Sequence, residues 1–229
     1  NKKIFMGTGF YSYKDTTDFL FELRGLKFDA IHYMPYHPLI SHDRIVWTYQ
    51  DLAERSANPV WLYFSGNWSQ TLPFEKIAHL STHQNIGGVK FSSSNIVHVQ
   101  QAASLSRPDF QVISAVVRTL YSCLHIGITA TTTVEACAYY QPIINIFKTF
   151  ARGDYKNALY LQQKLNVFLD SFPRSPSKDN FLKIAESKYV LSQQGLCGET
   201  MAAPYRQLDN SEKKEIDLII KNNSDWIFE

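Results

Sequence analysis

No stretch of this 229-residue sequence holds the roughly 18 to 20 consecutive apolar residues that a membrane-spanning helix needs, so no transmembrane segment is expected. The opening Asn1-Lys2-Lys3-Ile4-Phe5-Met6 runs straight into a strand instead of a signal peptide. Cysteine is scarce. Cys123, Cys137 and Cys197 lie far apart without paired spacing, which argues against a disulfide framework or zinc site and for reduced, buried thiols of a cytoplasmic protein. Basic residues do not cluster and the net charge is only +2, so no nucleic-acid footprint is present. His79 and His83 have i, i+4 spacing but lack the intervening Glu of zinc proteases, and read as a solvated helix face. Gly7-Thr8-Gly9-Phe10 lacks the third glycine of a dinucleotide site. What remains, 45% hydrophobic and 19% charged, is the composition of an ordinary globular chain long enough for one substantial domain, or most of one with a helical appendage.

The first half alternates. Apolar strands are expected at residues 2–9, 28–34, 60–63, 85–94, 110–114 and 127–131, with helices between them, including 42–56 with Ile45, Val46, Tyr49 and Leu52 along one face. That makes about six strand–helix alternations, the pattern of an α/β protein with a parallel sheet. From Val134 onward the pattern is helical only, over 134–151, 154–172, 178–194 and 211–222. The expected division is an α/β portion at 1–151, closed by the first of these helices, and a helical domain at 152–229.

One apolar run carries a lysine: Ile86-Gly87-Gly88-Val89-Lys90-Phe91, ending in Ser92-Ser93-Ser94. A lysine there either sends its head to solvent from the strand end or sits in a site that uses it. On the run alone the first reading is the plainer. An enclosed lysine, however, loses part of its preference for the charged form, and its free amine can attack a carbonyl. The preceding strand, Val60-Trp61-Leu62-Tyr63, and the helix from Pro73 to His83 make a parallel crossover that brings Tyr63 and Lys90 to the same end of adjacent strands.

Here the sequence resembles a known family. Leu62-Tyr63-Phe64-Ser65-Gly66, the helix with Leu80 and His83-Gln84-Asn85-Ile86, Gly88-Val89-Lys90-Phe91-Ser92-Ser93, Gly127-Ile128-Thr129-Ala130-Thr131 and Gly195-Leu196-Cys197-Gly198-Glu199-Thr200 look like the dihydrodipicolinate synthase and N-acetylneuraminate lyase family of class I pyruvate aldolases. The resemblance spans nearly the whole chain and implies a (β/α)8 TIM barrel with a C-terminal helical domain. In the family the segment resembling residues 2–9 is the third strand, so the first two βα units are expected to be missing from this sequence. It further implies a Schiff-base lyase or aldolase acting on pyruvate or another 2-keto acid and an aldehyde, without metal or organic cofactor, and often dimeric or tetrameric. Lys90 would be the nucleophile and Tyr63 the proton shuttle. Ile128, Trp68, Tyr36, His37 and Arg118 would be substrate-binding positions, with Tyr36 matching a tyrosine that reaches a neighbouring subunit.

Several departures bear on specificity. His37 stands where a second loop tyrosine is usual, and Phe64 replaces an asparagine. Trp68 stands where dihydrodipicolinate synthases place an arginine that grips a carboxylate, a bidentate pairing an indole cannot form. Ser114-Ala115-Val116-Val117-Arg118 lacks the acidic residues sialic acid lyases use for sugar hydroxyls. The glycine-threonine-threonine motif that binds the pyruvate carboxylate would lie on an absent strand. A catalytically impaired barrel serving as a binding or regulatory protein is therefore the alternative expectation, beside a true dihydrodipicolinate synthase or N-acetylneuraminate lyase.

Overall fold

The computed structural model describes residues 2–8, 12–35, 37, 39–65, 70–172 and 183–228. Contacts divide it into two compact units, one of residues 1–116 with 125–131 and the other of 117–124 with 132–229. In the first, strands β1 (Phe5–Thr8), β2 (Ala30–Tyr33), β3 (Val60–Ser65), β4 (Ile86–Ser92) and β5 (Gln111–Ser114) form one sheet in sequence order, every pair parallel. Helices α1 (Tyr13–Glu22), α2 (His42–Arg55), α3 (Phe74–Ser81) and α4 (Ile96–Ala103) make the crossovers, as parallel neighbours require.

Local chemistry sets these boundaries. Ser12, Ser41 and Asn95 cap α1, α2 and α4 by accepting from first-turn N–H groups. The Asn85 amide donates to the Ala53 and Ser56 carbonyls at 2.8 and 2.9 Å, tying the end of α2 to the start of β4. Gly88 permits a close approach. A Cβ there would lie 2.4 Å from the Gln111 carbonyl oxygen and 2.8 Å from the Trp61 ring, so only glycine lets Trp61 lie against β4.

The sheet has two unlike faces, because successive strand side chains point in opposite directions. Ile31, Tyr33, Leu62, Phe64, Val89, Phe91 and Val112 are buried. Their alternates His32, Tyr63, Lys90 and Ile113 are only half-buried, with Trp61 and Phe5 in edge-to-face contact on the same side at 5.0 Å. The first face is wholly apolar; the other mixes His32, Tyr63 and Lys90 with buried Trp61 and is partly open.

The expected sixth strand at 127–131 is a single parallel bridge, Ser114 to Thr131, with the Ser114 N–H donating to the Ala130 carbonyl. Gly127 has φ +87°, and Thr129 and Ala130 are exposed, so the segment has neither an extended start nor a second apolar residue to bury beside Ile128. The expected continuous helix at 134–151 is two helices, α6 (Glu135–Ala138) and α7 (Tyr140–Ala151), after α5 (Leu120–His125). Pro142 has no N–H for the Ala138 carbonyl, and Tyr139 leaves helical geometry at φ −135° and ψ 53°. The Tyr139 ring is buried instead against Phe168 and Phe172. With α8 (Tyr155–Asp170), α9 (Lys183–Gln193), α10 (Asn210–Lys221) and α11 (Ser224–Ile227), these helices surround a core that includes Ile143, Ile146, Leu165, Leu169 and Ile216. Cys123 is buried as expected, but Cys137 and Cys197 are exposed; all three are free thiols. Among the described residues no helix is long and apolar enough to cross a membrane.

Candidate active site

Tyr63 and Lys90 occupy directly paired positions on β3 and β4, near the C-terminal ends of both strands. Equal register in a parallel pair puts both side chains on the same face, here the half-open one. The Lys90 Nζ lies 3.7 Å from the centroid of the Tyr63 ring, within the range of a cation–π contact. Among the described residues no carboxylate is paired with Lys90, and burial brings its ammonium from the ordinary 10.5 down to about 8. An amine so placed is deprotonated in a useful fraction near neutral pH, which is the condition for nucleophilic attack on a carbonyl carbon.

A third group joins this pair. His32 comes from β2, on the other side of β3, and its ring centre lies 4.6 Å from that of Tyr63 at a tilt of 40°. Burial, and then the positive charge of Lys90, push its imidazole down to about 4, so it is neutral at physiological pH. Strand alternation holds the signal for it. His32 pairs with Trp61, two residues before Tyr63, and so shares the Trp61, Tyr63 and Lys90 face.

The other expected positions fare differently. Ile128 is buried in the first unit at 1% exposure. His37 is exposed, and its Nδ1 accepts from the Leu39 N–H at 3.2 Å, a local turn contact. Arg118 belongs to the second unit, where Asp170 pairs with its guanidinium at 2.8 Å. Tyr36 and Trp68 lie outside the described residues. Phe64 is fully buried on the apolar face, edge-on to Tyr49. His79 is exposed and within 3.2 Å of the Gln50 amide. Among the described residues no group of three or more His, Cys, Asp or Glu side chains is placed to hold a metal.

Comparison with known proteins bears on family and fold. Residues 2–223 match the model of the dihydrodipicolinate synthetase family. The 4-hydroxy-tetrahydrodipicolinate synthase of Listeria monocytogenes serotype 4a is 25% identical over 225 residues, covering 97% of this chain and 75% of that protein. Among solved structures, dihydrodipicolinate synthase from Bacteroides thetaiotaomicron superposes with a TM-score of 0.85 at 17% identity, over 96% of this chain and 75% of the other. N-acetylneuraminate lyase from Mycoplasma synoviae gives 0.81 at 18% identity, over 99% and 74%. These likenesses carry the fold, the α/β architecture of a TIM barrel, of which β1 to β5 and their crossover helices are the part described above.

Proposed function

We propose, since the chain belongs to the dihydrodipicolinate synthetase family, that it is a lysine-dependent carbon–carbon lyase or aldolase acting on pyruvate or another 2-keto acid together with an aldehyde. The observation that carries this reading is the Lys90 amine, held 3.7 Å from the Tyr63 ring on the half-open face of the sheet and lowered to about 8 by burial. The free amine bonds to the keto carbon. The former carbonyl oxygen leaves as water once protonated, and Tyr63 supplies and recovers the protons. The resulting iminium draws electrons from the neighbouring carbon, which loses a proton to give an enamine. The enamine carbon then bonds to the aldehyde carbon, whose oxygen takes up a proton, and water releases the product and restores the amine; the cleavage direction runs the same steps backwards.

Substrate choice follows from the departures in sequence. With Trp68 in place of a carboxylate-gripping arginine, a neutral or apolar aldehyde suits this chain better than a carboxylate-bearing one such as aspartate semialdehyde. Assembly as a dimer or tetramer belongs to the same reading. The test is reductive trapping: pyruvate with borohydride should fix a three-carbon adduct on Lys90, located by peptide mass spectrometry, and the Lys90→Ala variant should take up none. A wild-type protein left unmodified would end the aldolase reading and return the chain to the class of binding proteins.

A further inference from the structure

The β2–β3 ladder stops one pair short of the catalytic register. Its last pair is Tyr33 with Leu62, whereas β3 and β4 continue through Tyr63–Lys90 to Ser65–Ser92. In a parallel ladder the bond that closes this last pair runs from the Tyr63 N–H to the Tyr33 carbonyl. A side chain engages both of these groups. The Tyr49 hydroxyl, from α2, accepts from the Tyr63 N–H at 3.0 Å and donates to the Tyr33 carbonyl at 2.9 Å. The Tyr49 ring is wholly buried and fixed by edge-to-face contacts with Tyr33 at 5.4 Å and Phe64 at 5.9 Å. The hydroxyl, which also lies 3.4 Å from the Tyr63 carbonyl, thus ties α2 to the last pair of the ladder, and the peptide it holds is that of Tyr63.

We propose that Tyr49 is a positioning residue for catalysis: by bridging β2 and β3 it sets the backbone of Tyr63, and through it the placement of the Tyr63 phenol beside Lys90. The inference rests on the aldolase reading above. Without the hydroxyl, the Tyr63 peptide loses its tie to α2 and the Tyr33 carbonyl loses a donor in a dry interior. The Tyr63 backbone then shifts from the register it shares with Lys90. A displacement on the order of 1 Å at a catalytic group costs up to about 100-fold in rate. Lys90 is also paired with Ile113 of β5, which keeps it in place, so its attack on the keto acid is spared.

The experiment is a double-mutant cycle. Tyr49→Phe should keep the borohydride-trapped Lys90 adduct with pyruvate and keep KM for the keto acid. It should lower kcat about tenfold or more. In a Tyr63→Phe background it should lower kcat no further, since the group it positions is already gone. A merely structural tyrosine would lower melting temperature with kcat intact, or give losses that multiply in the double variant; either result overturns the proposal. If Tyr49→Phe does not fold, 3-fluorotyrosine at position 49 keeps ring and hydroxyl while altering its hydrogen-bond strength. Its kcat should then shift only where Tyr63 is present, and a shift independent of Tyr63 overturns the proposal equally. Failure of the aldolase reading is distinguishable, because it shows first as a wild-type protein with no Lys90 adduct, and it takes the positioning role with it.

Discussion

Replacing Lys90 with methionine should raise the stability of the protein at neutral pH while ending the proposed imine chemistry. Methionine keeps most of the lysine stem, so it packs against the same face without the charge. Burial brings the Lys90 ammonium from 10.5 to about 8, a displacement worth roughly 3 kcal/mol for a fully enclosed group. Lys90 is only half-buried, and solvent screening reduces that figure by about half. The Tyr63 ring, 3.7 Å from the ammonium, returns a further ~0.5–1 kcal/mol. A net gain on the order of 1 kcal/mol remains for the methionine variant, or roughly 2–4 °C in melting temperature for a chain of this size. The pH dependence has a definite sign. Between pH 8 and 10.5 the unfolded chain binds the lysine proton more readily than the folded one, so wild-type stability from this group rises with pH across that window. The advantage of the variant is therefore full below about pH 8 and vanishes toward 10.5. Thermal unfolding of both proteins at pH 7, 9 and 10.5 measures it. A methionine variant that melts lower than wild type at pH 7, or a difference that does not narrow with pH, would refute the argument that Lys90 is held in a desolvated site.

Tyr63→Phe should retain the trapped pyruvate adduct and slow turnover by roughly 100-fold, the usual scale of a lost proton-transfer group; unchanged turnover would reduce Tyr63 to packing. His32 is held neutral down to about 4, against 6.5 for a free histidine, so the unfolded chain binds its proton first and stability falls as the pH drops between those values. His32→Phe, which keeps a ring against Tyr63, should flatten that part of a urea-midpoint profile, and a profile of unchanged slope would contradict the assignment. Gly88→Ala should cost about 1–3 kcal/mol in chemical denaturation through overpacking, because the new methyl would meet the backbone oxygen of Gln111; a neutral substitution would show that Trp61 and β5 yield easily.

The lysine–tyrosine pair was legible because it depends on one-dimensional quantities. Two short apolar runs separated by a crossover helix are parallel neighbours, and Tyr63 and Lys90 stand at matching positions in theirs, as the observed register has it. What reading along the chain missed depends on register across strands or on contacts between elements. His32 sits in the run Ala30-Ile31-His32-Tyr33, where one histidine among apolar residues passes for core filler. Only alignment of β2 against β3 puts it on the face of Trp61 and Tyr63. Tyr49 shows the converse. Its place on the apolar stripe of α2 was legible, but its burial conceals a polar function, since nothing in helical periodicity tells which backbone groups its hydroxyl will bridge.

The two faces of the sheet also explain why the site can be chemically unusual without unfolding the unit that carries it. Tyr33, Leu62, Phe64, Val89 and Phe91 bury large side chains beneath the crossover helices, each contributing up to about 1.5–3 kcal/mol on full burial. Positions 32, 63 and 90 on the alternating face are thereby freed from core duty. A half-buried lysine with no carboxylate partner among the described residues, and a histidine kept neutral beside it, lower stability, and the apolar alternates on the same strands offset that loss. Because the side-chain period of a strand is two, a one-residue slip of β4 would exchange Lys90 for Val89 or Phe91, burying an unpaired ammonium in the core while exposing an apolar side chain. The register that gives the sheet its core is the same one that sets Lys90 beside Tyr63, so selection against slippage in the fold also fixes the geometry of the proposed chemistry.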